Sequence, residues 1–313
     1  MKLTRRDFNK VAVGAVSSLG AMSPPGVANA APRLAANIST IDGVRFGLQP
    51  YCYHDVPMNR ENRPILIERM VENKLDIVEL HTTWCEPSFS GPGVSAQEAR
   101  KKLRDWRVST PDSYYQKIKQ EFSDAGIEIF TSWVNFGIRE GDETTDEEID
   151  AAFRAAKALG CKGIVGSYGL AFAHRLIPYP EKYGVFAGLH NHDNLSDPDA
   201  FSNEESFVKG LAISPDFKAT LDVRHFTAGN GDCLAFLQKH HERTSTVHMG
   251  DRRRNNGHST PFGQGDAPII QILQMIRDNK WPIVVLLEFE HGTLRTGVEE
   301  VQIAYDYCKR ALA

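Results

Sequence analysis

Residues 283–290 read Ile283-Val284-Val285-Leu286-Leu287-Glu288-Phe289-Glu290, an unbroken apolar run that ends in two alternating carboxylates. Continuous apolar runs of this length are typical of strands buried on both faces, as in a parallel sheet covered by helices. Seven earlier β-rich stretches precede it at regular intervals. These are Arg45–Pro50, Leu75–His81, Glu128–Val134, Cys161–Ser167, Val185–His190, Phe217–Val223 and Thr244–Met249.

Helical patterns separate the predicted strands. In one of them Thr145 can cap the helix amino end, acidic residues follow in the first turn, and Gly160 suits a left-handed end. The full set is Arg63–Asn73, Ser95–Asp105, Pro111–Ala125, Thr145–Leu159, Asp199–Gly210, Asp232–Glu242, Ala267–Asn279 and Gly297–Ala311. Eight strands alternating with helices predict one α/β domain, a (β/α)8 TIM barrel over residues 43–313. A doubly wound open sheet is the alternative, but no glycine-rich nucleotide motif follows the first strand.

Composition narrows the class of protein. The chain has 313 residues, 41% of them hydrophobic, and a formal net charge of -4. This composition argues against disorder, and an acidic body lacks the basic face that nucleic acids require. No apolar run after residue 30 is long enough to span a membrane. The five cysteines are widely spaced without a CxxC pair, which favours buried thiols over a disulfide framework.

The first thirty residues have the pattern of an export signal. Arg5-Arg6 and Phe8 precede a short apolar stretch, and Ala28-Asn29-Ala30 offers a cleavage site. The paired arginines resemble a bacterial twin-arginine signal. We therefore predict a signal peptide over 1–30, a linker over 31–42 and a periplasmic location. An amphipathic amino-terminal helix of the fold is the alternative.

Polar side chains cluster where the predicted strands end. Strand ends form the active site of a (β/α)8 barrel, and alternation places residues two apart on one side. Imidazole and carboxylate groups from several strands suit one divalent ion such as Mn, Zn or Co. The strand-end segments are Glu79–His81, His190–Asp193, Asp222–His225, His248–Arg252 and Glu288–His291.

These segments resemble the sugar phosphate isomerase/epimerase superfamily of xylose isomerase-like barrels, and most of all its exported branch. The resemblance runs in order over nearly all of the chain after residue 43. It is carried by residues 47–51 (GLQPY), 75–80 (LDIVEL), 188–193 (GLHNHD), 221–225 (LDVRH), 247–251 (VHMGD), 261–265 (PFGQG) and 287–290 (LEFE).

The resemblance implies a metal bound by Asp222, His248 and Glu288, with His190 where the family has a glutamate. It implies an isomerase or epimerase that removes the proton beside a sugar carbonyl and so forms a metal-stabilised enediolate. We predict Glu288, His192 and Glu79 as catalytic residues. The predicted substrate contacts are His225, Asp251, Arg252, Tyr51 and Trp84.

The histidine at position 190 leaves the reaction type open. Because one of the family's two glutamates is missing, a lyase that eliminates from a 3-keto-glycoside, or a related dehydratase, is the main alternative. A sugar-binding barrel without catalysis is a further possibility. In every case the expected partner is a small sugar, and nucleic acid is not expected.

Overall fold

The computed structural model describes residues 33–136 and 144–313. Eight parallel strands form a closed barrel, because the eighth pairs with the first and the first pairs with the second through Leu48 and Val78. All eight predicted strands are confirmed. They are β1 (Val44–Leu48), β2 (Ile77–His81), β3 (Glu128–Trp133), β4 (Gly163–Gly166), β5 (Phe186–His190), β6 (Phe217–Asp222), β7 (Thr244–Met249) and β8 (Val284–Leu287).

Helices surround the barrel, and every predicted helical segment overlaps one. Three short helices were not predicted, at 170–175, 178–183 and 223–228. The helices are α1 (Arg63–Asn73), α2 (Ala96–Ser109), α3 (Asp112–Asp124), α4 (Asp146–Leu159), α5 (Leu170–Arg175), α6 (Pro178–Tyr183), α7 (Glu204–Ile213), α8 (Val223–Ala228), α9 (Cys233–His240), α10 (Ile269–Asn279) and α11 (Gly297–Leu312).

Local chemistry sets the ends of α4 as the sequence predicts. The Thr145 side chain accepts a hydrogen bond from the Glu148 backbone N–H, which satisfies one free donor of the first turn. At the other end Gly160 has φ of +83°, a conformation that favours glycine.

The barrel interior is apolar below and polar above. Ile77, Phe130, Val284 and Leu286 pack together inside the barrel as a small buried cluster. Along the last strand, side chains two residues apart share a side, so Glu288 continues the inward row of Val284 and Leu286. The interior is thus filled by hydrocarbon beneath a polar mouth at the carboxyl ends of the strands.

The segment predicted as a linker packs against the barrel from residue 33 onward. Leu34 is buried and its backbone N–H donates to Ala125, while Ser39 donates to the Phe46 carbonyl. Thr40–Ile41 adds a two-residue antiparallel strand beside β1. These contacts place the segment at the amino ends of the strands, opposite the mouth.

Three other predictions concern the chain as a whole. The predicted signal peptide, residues 1–30, lies outside the described residues. Within the described ranges, no helix combines the length and apolar character needed to cross a bilayer. All five cysteines are buried and free, as predicted.

Candidate metal centre

Four polar side chains meet at the barrel mouth: His190, Asp222, His248 and Glu288, which we call the cluster. His190 and Asp222 end β5 and β6, His248 lies near the end of β7, and Glu288 follows β8. The cross-strand register sets Asp222 beside His248, so adjacent strands deliver their ends at one level. One ligand atom from each residue lies within 4.8 Å of all the others, and all four residues are buried.

Asp222 holds its carboxylate in place through the start of α8. Its Oδ1 accepts a hydrogen bond from the His225 backbone N–H at 2.9 Å, which caps the helix. Its Oδ2 accepts from Arg224 Nη2 at 2.7 Å and lies 3.7 Å from His190 Nε2. Burial raises the pKa of Asp222, but the positive charge of Arg224 and its other neighbours outweigh it and hold the pKa well below the usual value. The carboxylate is therefore ionised and ready to bind a cation.

His190 is a buried imidazole without a hydrogen-bond partner on either ring nitrogen among the described residues. Burial lowers its pKa to about 4, and the nearby Asp222 only partly offsets this. The ring is thus neutral at physiological pH. Its centroid lies 4.8 Å from that of His248 and 4.8 Å from that of Trp133.

His248 lies between two carboxylates. Its Nδ1 is 2.7 Å from Glu288 Oε2, and its Nε2 is 3.0 Å from Glu79 Oε1. Burial lowers the pKa of His248, but the two carboxylates raise it to about 10 overall. The second oxygen of Glu79 accepts from Thr131 Oγ1 at 2.7 Å. Because Glu79 is completely buried, it lies behind His248 rather than at the open mouth.

The donor set fits a divalent cation. Two ionised carboxylates and two imidazoles are ligands of Mn, Zn or Co, and buried ring nitrogens without partners would otherwise carry an uncompensated desolvation cost. Nδ1 of His248 faces the cluster, while Glu79 approaches Nε2 from outside. A carboxylate in that position orients a ligating histidine and fixes its tautomer. The residues present therefore suit a bound metal ion.

Among the predicted substrate contacts, His225 and Arg252 lie together beside the cluster. Nδ1 of His225 is 3.1 Å from Asp193 Oδ1 and 3.0 Å from Arg252 Nη1. Arg252 also pairs with Asp193 Oδ2 at 2.9 Å. The His225 Nε2 atom therefore points toward the cluster, 3.9 Å from Asp222 Oδ2.

His192 completes the polar side of the mouth. Its ring centroid lies 4.9 Å from that of His190 and 4.8 Å from that of His225. Burial and the neighbouring histidines lower its pKa to about 4, so this ring is neutral as well. It keeps some solvent exposure, unlike His190.

Asp251 does not have the surroundings expected of a substrate contact. It is buried, and its side chain accepts hydrogen bonds from the backbone N–H groups of Gly263, Gly265 and Ala267 at 2.8–3.1 Å. A Cβ at Gly265 would lie 2.1 Å from Asp251 Oδ1, so glycine is needed there. Asp251 therefore organises the loop after β7.

The two predicted aromatic contacts differ in position. The Tyr51 ring is half exposed just after β1. Trp84 is fully buried in the hydrophobic core, which corrects the expectation that its ring faces a substrate. Trp133, at the end of β3, is instead partly exposed at the mouth and packs edge-on against His190. Periodicity alone did not separate these tryptophans, because both lie near the carboxyl end of a strand.

Sequence reasoning missed Arg224, which contacts two carboxylates of the cluster, and Thr131, which donates to Glu79 behind it. Arg224 lies between Asp222 and Glu288, although an arginine in a loop motif normally suggests a solvated side chain. Thr131 lies on β3 two residues before Trp133, and this spacing on a strand that borders the mouth was the available signal.

Comparisons with known proteins agree with this architecture. A sequence model described as "Xylose isomerase-like TIM barrel" matches residues 93–310, a span that contains the whole cluster. The chain belongs to this family. None of the curated proteins matches the sequence.

Solved structures with the same fold span almost the whole barrel. A sugar phosphate isomerase/epimerase from Parabacteroides distasonis is 19% identical, with a TM-score of 0.60 over 85% of this chain and 95% of that chain. The 3-keto-D-glucoside 4-epimerase of E. coli is 13% identical, with a TM-score of 0.61 over 85% and 99%. The IOLI protein, solved with a zinc atom, is 16% identical, with a TM-score of 0.62 over 86% and 98%. At these identities the likeness is one of fold.

Proposed function

We propose that this protein is a divalent-metal-dependent enzyme that isomerises or epimerises a keto-sugar by removing the proton beside its carbonyl. One observation carries the proposal: four side chains from four strands converge within 4.8 Å at the barrel mouth. Polar groups buried in this way require a partner, and a metal ion meets that requirement. The family and the named activities of the two epimerases of similar fold support a sugar as substrate.

A proton beside a carbonyl is only weakly acidic, so the site must stabilise the charge that develops. A divalent ion, when bound, would supply electrostatic stabilisation of that charge. His190, Asp222, His248 and Glu288 would hold the ion. His192 is neutral and open to the mouth, so it can accept or return a proton.

Glu288 is the second candidate for proton transfer. Burial raises its pKa, but the charges of Arg224 and His248 outweigh this and lower it to about 2. This carboxylate is a weaker base than His192, whose pKa is about 4, and this difference favours His192 as the residue that removes the proton. We assign Glu288 to metal binding first and to proton transfer second.

The remaining residues of the mouth suit a sugar ring. Trp133 offers an apolar surface, and its ring stacks on that of His81 at 6.3 Å. His225, held by Asp193 and Arg252, presents Nε2 toward the same space and can donate to a hydroxyl. An apolar face combined with a few fixed polar groups is typical of small-molecule sites.

A second activity, β-elimination from a keto-glycoside, is favoured by His190. Epimerisation needs groups that move protons on opposite faces of the substrate. Here the β5 position holds a neutral imidazole that the cluster uses as a ligand. Elimination removes one proton and breaks the bond to the oxygen substituent at the neighbouring carbon; a single residue can take that proton as a base and return it to the departing oxygen as an acid.

The deciding experiment is product analysis in deuterated water. The purified protein, loaded with Mn²⁺, Zn²⁺ or Co²⁺, would be incubated with a panel of keto-sugars and 3-keto-glycosides and followed by NMR. Deuterium at the α-carbon of an isomeric sugar supports the isomerase or epimerase. Release of the aglycone with an unsaturated sugar supports the lyase.

Matched variants connect turnover to the cluster. His190→Ala and Glu288→Ala are expected to lose bound metal and activity together, whereas His174→Gln, an exposed histidine on α5, should retain both. Equal metal content in all the proteins would refute the proposed metal site.

We also propose export through the twin-arginine pathway, which a fractionation of cells expressing Arg5→Lys/Arg6→Lys would test.

A further inference from the structure

A single arginine lies among the carboxylates of the mouth. Arg224 is 1% exposed. Its Nη2 atom is 2.7 Å from Asp222 Oδ2 and 3.0 Å from Glu288 Oε2, and its Nη1 is 3.1 Å from Glu290 Oε2. One nitrogen thus contacts two cluster carboxylates at once.

The fold makes room for this side chain. Gly250, two residues after His248, lies against it: a Cβ at that position would be 2.4 Å from Arg224 Cδ and 2.1 Å from the Glu288 carbonyl oxygen. The Glu288 carbonyl oxygen belongs to the backbone, so it could not move aside for a Cβ as a flexible side chain could. The glycine therefore keeps open the channel that the arginine side chain occupies.

The contacts of Arg224 point to a role in charge compensation. Buried carboxylates without a counter-charge are strongly destabilising, and removing one member of a buried ion pair exposes that cost. Asp222 and Glu288 contact Arg224 through the same oxygens that lie near His190 and His248. A metal ion and the guanidinium would therefore supply positive charge to the same two carboxylates.

We propose that Arg224 is a counter-ion built into the metal centre, which makes folding of the barrel independent of the metal. Without metal, Arg224 compensates Asp222 and Glu288; with metal, it remains beside them as a donor. Arg224 is thus a positioning residue rather than a catalytic one. This inference rests on the proposed metal site.

Thermal unfolding with and without metal tests the proposal. Wild type, Arg224→Met and Arg224→Lys would each be measured in EDTA and with saturating Zn²⁺ or Mn²⁺. In EDTA, Arg224→Met is expected to unfold roughly 10 °C below wild type. Metal should recover most of that loss, so its stabilising shift should exceed the wild-type shift by about 5–10 °C.

The control variant is Glu290→Gln, which removes one partner of Arg224 that is not a cluster ligand. Its metal-induced shift should equal that of wild type. A metal-induced shift in Arg224→Met that is equal to or smaller than the wild-type shift overturns the proposal, because the two positive charges would then not substitute for each other.

A second variant decides the case if Arg224→Met does not fold. Lysine keeps the positive charge, but it is shorter and lacks the planar fork that places one nitrogen of Arg224 at 2.7 Å and 3.0 Å from the two carboxylates. Arg224→Lys should therefore show a metal-induced shift larger than that of wild type. An unchanged shift overturns the proposal. If wild type itself binds no metal and shows no shift, the proposed metal site fails; a shift in wild type that is matched in both variants refutes only the role of Arg224.

Discussion

Replacing Glu79 by glutamine tests whether this carboxylate orients a metal ligand. Glu79 is completely buried, and its Oε1 lies 3.0 Å from His248 Nε2, on the side of the ring away from Glu288. Glutamine keeps the size of the side chain and its contact with Thr131 but removes the negative charge. The imidazole would then be less basic and less firmly held, so we expect metal binding to weaken.

The expected loss of affinity is about tenfold, the lower end of the effect for partners of ligating histidines, or about 1.4 kcal/mol of binding free energy. Competition with a fluorescent chelator, with Zn²⁺ and Mn²⁺ in turn, measures the dissociation constant directly. Unfolding in urea, measured in parallel, separates this loss from a general loss of stability.

Glu300 provides a matched control. It is also buried, and its Oε1 lies 2.8 Å from Nε2 of a histidine, His291, that is outside the cluster. Glu300→Gln should lower stability but leave the metal dissociation constant unchanged. If Glu79→Gln binds metal as tightly as wild type, Glu79 does not orient His248 in the way inferred here.

Three other predictions concern stability. Burial lowers the pKa of His248, but Glu79 and Glu288 raise it to about 10 overall, above the value near 6.5 in the unfolded chain. The contribution of protonated His248 to the free energy of unfolding is therefore complete below about pH 6.5 and is lost as pH rises through 10. Urea unfolding in EDTA from pH 6 to 10 should show this decline, and His248→Gln should lack it; equal slopes would contradict the assignment. Asp251→Asn should cost about 2–3 kcal/mol in urea unfolding, since the amide keeps only one acceptor oxygen and turns its NH2 group toward backbone N–H donors; wild-type stability in this variant would show that the loop does not depend on these hydrogen bonds. Arg107→Met should cost about 3–5 kcal/mol because it leaves Glu86 buried without its partner at 2.7 Å and takes one of the arginine partners from buried Glu148. The exposed Lys101→Met should cost almost nothing, and similar losses in both variants would refute the importance of burial.

The barrel was predictable because its signals are local and repeated. Unbroken apolar runs mark the strands, and α4 shows both of its end signals, Thr145 and Gly160. The short helices α5, α6 and α8 escaped prediction because one or two turns give too little periodicity to separate from a loop. In α8 the decisive signal is Asp222, whose cap was interpreted only as a strand end.

That polar side chains would meet at the mouth was predictable, because strand ends of a closed barrel share one edge. The choice of the four cluster residues came from the family resemblance. The sequence could not predict which polar residue faces the mouth and which lies behind it, since that depends on contacts between distant strands. Glu79 lies behind His248, and Asp251 turns to its own loop. The position of Arg224 depends on space left by Gly250, which a single sequence does not reveal.

The position of the segment below the barrel, opposite the mouth, has a practical consequence. Arg33 begins the described chain near Leu34, which is anchored beneath the barrel, and α11 runs antiparallel to the strands and ends on that same side. Immobilisation on a sensor chip or fusion to a reporter through the carboxyl-terminal residue would therefore leave the mouth of the barrel facing the solvent.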